Sequence, residues 1–359
     1  MGVITGLQQV FKEFKKRKWY ENMVKNIGLN NAIINRDDEF YTRYEDIEKE
    51  LSHYFEYLSG KTVYCNCDDP HLSNFPRYFI RNFHKIGLCR LICTGYSKFS
   101  VGSFLDVCAE EIPLNSDSIS DADLNALIDS KTGNLTGNGD YTSYECISYL
   151  KESDVVVTNP PFSKFREYFG FLARFDVDLL LITFLLSLSY NVVLPYISTG
   201  QLKVSNVCNV QSMSFVRPPE QTPKKFGNIR WITTFNIPTF KQITLCQYNK
   251  RNYRFYDGFP KIININHLSE IPDYDGVMGV PVSYLDYHNP QLFEIIDFAQ
   301  HDLYIDGKKC FRKILIRRRH GAGDDGAESQ SSQNGSINWE DYQIKDLNTD
   351  VQTNLSNWV

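Results

Sequence analysis

The 359-residue sequence has no apolar stretch long enough to cross a bilayer; its longest run, DVDLLLITFLLSL, is short and acidic at its edge. Its start, MGVITGLQQVFKEFKKRKWY, lacks the apolar core that a signal peptide needs. A cytoplasmic protein with no membrane partner is therefore expected. Positive charge is not in excess either. The formal net charge is −5, which excludes nucleic-acid binding through a global positive field and leaves only local basic clusters. Those clusters are Lys12 with Lys15 to Lys18, then Lys224, Lys225 and Arg230, then Lys308 to Arg319. A disulfide framework is missing, since nine scattered cysteines, an odd number, read as reduced thiols. Cys65 and Cys67, with Cys89 and Cys93, raise the question of zinc. Alternation inside KTVYCNC turns Cys65 and Cys67 to one face of a strand, so buried structural thiols are the preferred reading and no metal is expected. There are no internal repeats.

What is present is apolar and aromatic. Hydrophobic residues make up 42% and aromatics 14%, from 24 Phe, 22 Tyr and 4 Trp, which places the chain among globular proteins with a sizeable core. The length suggests roughly two domains.

Strand and helix patterns alternate along the first half. Lys61 to Cys67 reads as a buried strand, and SNFPRYFIRNFHK as a helix with Ser73 at its N-cap and Pro76 in its first turn. LCRLICTGY from Leu88 is a second strand, followed by an Asp- and Ser-rich connection and the turn GNGDY at Gly137 to Tyr141. DVVVTN is a third strand, FREYFGFLARF a helix, LLLITF a strand and SYNVVLPYI a helical stretch. This alternation predicts an α/β fold with a mostly parallel, doubly wound sheet. From Val204 the texture changes. VSNVCNVQSMSFVRP and GNIRWITTFNI, separated by PEQTPKKF, predict an antiparallel β pair joined by a mobile loop. Beyond Phe240 short elements and loops are expected, with a disordered segment over 321–336.

One segment carries chemistry. In VVVTNPPFSKF an apolar strand stops on Asn159, Pro160, Pro161 and Phe162. Ligands of open α/β sheets sit at the carboxyl ends of strands. An Asn carbonyl accepts hydrogen bonds, the prolines fix neighbouring backbone carbonyls, and the Phe ring can stack on a flat heterocycle. Accepting from both hydrogens of an aromatic amine frees the nitrogen lone pair for attack on an electrophile beside it. The competing reading is a plain strand-terminating turn.

Placed at a strand end, Asn159 to Phe162 resembles the catalytic motif of amino-methyltransferases that use S-adenosylmethionine. DEFYTRYEDIEKEL from Asp38, VYCNCDDPHLSNFPRYF from Val63, GNGDY, TNPPFSKFREY, GNIRWITTF and DYDGVMGVPVSYLDYHNPQLFEI then resemble, together and in order to about Ile295, the adenine-specific DNA methyltransferases of the EcoRI type. The resemblance implies a Rossmann-like methyltransferase domain over 1–237 and a target-recognition region over 238–359. It implies duplex DNA as partner and methyl transfer to the adenine amino group after base flipping. Asn159, Pro160, Pro161 and Phe162 would bind and activate the flipped adenine. The cofactor site would hold Tyr41, Thr42, Asp68, Asp69, Asp140, Tyr141 and Asn159.

Several of these residues keep a second reading. Cys-Asp-Asp-Pro stands where most methyltransferases have a glycine-rich loop, and Asp69 reads equally as the cap of a turn. A Gly-Asn-Gly turn accounts for the glycines beside Asp140. Thr42 to Glu45 reads as a capping box whose helix N-terminus would suit the cofactor's carboxylate. Arg217, Lys224, Lys225 and Arg230 are candidates for DNA contact, or solvated charges. Trp231 is a candidate against the flipped base, or a core residue. A cognate restriction endonuclease acting separately fits this reading, as does action as a monomer. The alternatives are methylation of RNA or of a protein glutamine, and a non-catalytic DNA-binding protein that keeps the fold.

Overall fold

The structure is a computed structural model that describes residues 40–208, 210–217, 220–237, 241–299 and 303–319. The basic run at Lys12 to Lys18 and the 321–336 segment lie outside them. The chain divides into two compact units, Met1–Val177 with Met213–Phe226, and Asp178–Ser212 with Gly227–Val359.

The first unit is built on strand β2 (Thr62–Cys65), flanked in parallel by β3 (Arg90–Gly95) and β6 (Val155–Thr158). Val63 faces Leu91 on one side and Val155 on the other. All three strands are almost wholly buried, which is why each is a continuous apolar run without alternation. Helix α2 (Asn74–Arg81) follows β2 as its sequence predicts: Ser73 is the N-cap, and its Oγ accepts the Phe75 N–H at 3.2 Å.

The sheet is mixed, which corrects the mostly parallel expectation. β4 (Ser103–Cys108) runs antiparallel to β3, and β5 (Thr132–Asn134) antiparallel to β4. The connection 96–102 between β3 and β4 is too short for a helical crossover, so the chain turns back on itself. The Asp- and Ser-rich stretch thus holds a strand and a helix, α3 (Asp121–Lys131), whose N-cap Ser120 accepts from Asp123 N–H.

A second, three-stranded sheet has the order β1-β9-β10, where β1 is Tyr41–Thr42, β9 is Ser212–Arg217 and β10 is Glu220–Gly227. From Glu220 on, PEQTPKKF is therefore a strand and not a loop. It is an edge strand, where Pro223 interrupts no central ladder. β9 pairs with β1, and not with GNIRWITTFNI as expected.

In the second unit, β11 (Ile229–Thr233) runs antiparallel to β7 (Asp178–Phe184) and to β8 (Lys203–Val204). The region after Phe240 is more regular than expected. A five-stranded sheet runs in the order Arg254–Tyr256, Phe259–Asn264, Val277–Pro281, Lys313–Arg318, Phe293–Ala299. Tyr256, Ile262, Val277, Leu303 and Leu315 form a core cluster there. No helix among the described residues is long and apolar enough to cross a membrane.

Candidate active site

β3, β2 and β6 are parallel, so their carboxyl ends lie on one side of the sheet. There they floor an open cleft of about 700 Å³. The end of β2 contributes Asn66, Cys67, Asp68 and Asp69, the end of β3 contributes Tyr96, and the end of β6 contributes Asn159 and Pro161. Phe40 and Tyr41 beside β1, and Gly139, Asp140 and Tyr141 from the predicted turn, complete the wall with Lys164. The structure thus brings together the motif and most of the residues expected around a cofactor.

Asn159 is buried. Its Nδ2 donates to the backbone carbonyl of Phe40 at 2.6 Å, while its Oδ1 has no hydrogen-bond partner among the described residues. A buried amide oxygen left without a donor costs roughly 1–3 kcal/mol, so the geometry holds an acceptor in reserve for a ligand. Phe162 is half-buried at the start of the turn that leads into helix α4 (Phe165–Leu172).

Asp68 is buried and ties the cleft floor together. Ser73 Oγ donates to its Oδ1 at 2.7 Å, Thr158 Oγ1 to its Oδ2 at 2.5 Å, and the Asn159 backbone N–H donates as well. Burial pushes its carboxyl up from 3.8 to about 7 in spite of those donors. A raised pKa in the folded state means that folding takes up a proton. Stability should therefore fall as pH rises from about 4 to about 7 and stay level above that, by an order of a few kcal/mol. Asp68→Asn should flatten that slope relative to wild type in urea unfolding measured across this range.

Asp69 takes the structural role that its second reading gave it. Its Oδ1 accepts from the N–H groups of His71 and Leu72, and its Oδ2 from Ser103 Oγ. Asp140 likewise accepts from the backbone and hydroxyl of Thr142. Tyr141 packs edge-on against Tyr168, with ring centroids 5.0 Å apart. The turn is locked by Gly139, which has φ 79°, and a Cβ there would lie 2.3 Å from the Gly95 carbonyl oxygen. Gly139→Ala should push the turn off β3, lowering Tm by several degrees and weakening cofactor binding in calorimetry.

Thr42 is not a helix cap. Its backbone is taken by β1 pairing to Phe215, the cap position of helix α1 (Tyr44–Leu51) falls to Arg43, and no side chain caps that helix. Thr42 is nonetheless buried, and its Oγ1 has no hydrogen-bond partner among the described residues.

The predicted DNA-contact residues separate. Lys224 and Lys225 are exposed on β10. Arg217 lies on β9, with its side chain outside the described residues. Arg230 is removed from the set: it is buried, and its Nε and Nη2 donate to Asp286 at 2.7 and 2.6 Å. Trp231 is removed as well, since it is 1% exposed in the core of the second unit. Six cleft residues were not anticipated, namely Phe40, Asn66, Cys67, Tyr96, Gly139 and Lys164. Asn66 and Tyr96 follow directly on two strands predicted from sequence, so their places at strand ends were the available signal.

Residues 28–346 match the sequence model of a methyltransferase family. That family is described as adenine-specific methyltransferase EcoRI, and the chain belongs to it. It is 35% identical to the type II methyltransferase M.EcoRI of Escherichia coli, over 81% of this chain and 96% of that protein. It is 31% identical to the type II methyltransferase M.MpnI of Mycoplasma pneumoniae, over 82% and 92%, and to M.MgeORF184P of Mycoplasma genitalium, over 75% and 85%. No solved structure matches.

Proposed function

We propose that this enzyme transfers a methyl group from S-adenosylmethionine to the exocyclic amino group of adenine in duplex DNA, at a specific site. The observation that carries the reading is the buried Oδ1 of Asn159 at the end of a parallel strand, without a hydrogen-bond partner among the described residues. The cleft fits the cofactor by its own chemistry: it holds that acceptor, and has the close-packed Gly139 turn and a half-buried tyrosine in its wall. When bound, S-adenosylmethionine supplies a sulfonium methyl group open to displacement.

The protein's part is to bind, orient and exclude water. Asn159 Oδ1 accepts one amino hydrogen of adenine and the Pro160 carbonyl the other, which keeps the nitrogen lone pair out of the ring. Phe162 stacks on the extruded base. No protein nucleophile is required, and the proton released from the methylated nitrogen passes to solvent. Tyr41, Thr42, Asp140 and Tyr141 contact the cofactor, while Asp68 and Asp69 hold the floor on which it rests. Lys224 and Lys225 bind phosphates, and Arg217 is a further candidate for the same role. Residues 1–237 carry out transfer and 238–359 recognise the target, a functional division that cuts across the second compact unit. The enzyme acts as a monomer, on one strand at a time, with any cognate endonuclease acting separately.

Methylation of RNA or of a protein glutamine uses the same acceptor chemistry. Incorporation of tritiated methyl groups into DNA, RNA and protein, offered side by side, decides between them. Label in DNA as N6-methyladenine is expected; label in RNA or protein alone would remove the DNA reading.

A further inference from the structure

The three-stranded sheet and the motif are joined by a closed circuit of contacts. Phe162 meets Phe215 of β9 edge to face, with centroids 5.6 Å apart at 85°. Phe215 lies 5.7 Å from Phe226 of β10, and Phe226 meets Phe40 at 5.1 Å and 75°. Phe40 returns to the motif through its carbonyl, which receives the Asn159 Nδ2 hydrogen bond. Its height over Asn159 is set by the β1-β9 register, Tyr41 opposite Val216 and Thr42 opposite Phe215.

A carboxamide presents a donor at one end and an acceptor at the other, and its orientation follows from what each end faces. With the Phe40 carbonyl at 2.6 Å, only the nitrogen end can face that way, because the flipped amide would set two oxygens against each other. The edge sheet therefore decides that Asn159 turns its oxygen toward the cleft. β2 and β6 give the motif its position, whereas this sheet gives it its polarity.

Resting on the proposed reading of Asn159 as the acceptor for the adenine amine, we propose that Phe226 is a positioning residue for methyl transfer. From β10 it braces Phe40 and Phe215, and through them fixes the orientation of the Asn159 amide and of the Phe162 ring. It does not line the cleft. Phe226 is half-buried on an edge strand, so its loss leaves the β2-centred core untouched.

Two variants of the full chain test this, with tritiated S-adenosylmethionine and bacterial genomic DNA free of adenine methylation as substrates. Phe226→Ala should lower kcat by roughly 10- to 100-fold, as expected when a reacting group is misplaced by about an ångström. Its KM for S-adenosylmethionine should change by less than about twofold, and Phe226→Tyr should restore turnover. Asn159→Asp gives a second signature. An ionised carboxylate would face the Phe40 carbonyl with no proton between them, whereas the protonated acid can donate to it and still present an acceptor to adenine. Activity of Asn159→Asp, divided by that of wild type, should therefore rise as pH falls.

Wild-type kcat in Phe226→Ala, or a ratio for Asn159→Asp that does not rise as pH falls, overturns the inference. If Phe226→Ala does not fold, Asn159→Asp decides alone. The two levels separate through Asn159→Ala. Retained activity there removes the reading of the motif itself, whereas an inactive Asn159→Ala beside a fully active Phe226→Ala removes only the role of the edge sheet.

Discussion

Asp286→Ala should destabilise the second unit by about 3–5 kcal/mol, the cost of stranding a buried guanidinium when its partner is removed. Arg230 and Asp286 have side chains only 6% and 4% exposed and meet through two parallel hydrogen bonds. The third Arg230 contact, from Nη1 to the Ile229 carbonyl at 2.8 Å, leaves the cation no route to water without moving β11. Urea unfolding followed by circular dichroism measures the loss. The double variant Arg230→Met with Asp286→Leu should recover most of it, because a buried ion pair replaced by apolar groups of similar volume is often neutral. A double variant as unstable as Asp286→Ala would mean that the pair does more than neutralise itself.

Asn159→Ala should abolish methylation, with a fall in kcat of at least about 100- to 1,000-fold, in line with the removal of one preorganised hydrogen-bonding group from a reacting centre. Binding of DNA and of S-adenosylmethionine should remain largely in place. The alanine removes the buried amide acceptor at the end of β6, but not the walls of the cleft, which come from β1, β2, β3 and the Gly139 turn. Single-turnover methylation with saturating DNA, alongside calorimetric titration of the cofactor, separates the two effects. Activity retained in the variant would remove the acceptor mechanism.

The parts legible in the sequence are those whose environment is uniform. β2, β3, β6 and β7 are buried along most of their length, so each appears as an unbroken apolar run, and the motif's place at the end of β6 followed directly. β4 was legible but overlooked. Leu105 and Val107 are buried and alternate with the half-buried Asp106 and Cys108, a short period-two pattern set among turn-forming residues. Thr42 was misread because Thr-Arg-Tyr-Glu satisfies a local rule, while the chain settles that residue by pairing with Phe215, far away in sequence. Arg230 failed for a related reason. A charge a few residues after Lys224 and Lys225 looks like part of one basic surface cluster, and its partner Asp286 lies 56 residues further on. β10 was hidden by Pro223, which excludes a central strand but not an edge.

The first unit is not a continuous piece of chain, since Met213–Phe226 returns to it after the second unit has begun. Synthesis on the ribosome runs from N- to C-terminus, so Tyr41 and Thr42 wait for Val216 and Phe215 before β1 has a partner strand. Asn159 would leave the exit tunnel well before the β9-β10 segment that braces the Phe40 carbonyl. A nascent chain halted after Val177 would carry the whole Asn-Pro-Pro-Phe sequence and no working methyl-transfer site. The same ordering governs any attempt to divide the gene: a cut at the 177/178 boundary parts the cleft residues from β9 and β10, whereas a cut beyond Gly227 keeps the cleft and both strands in one polypeptide.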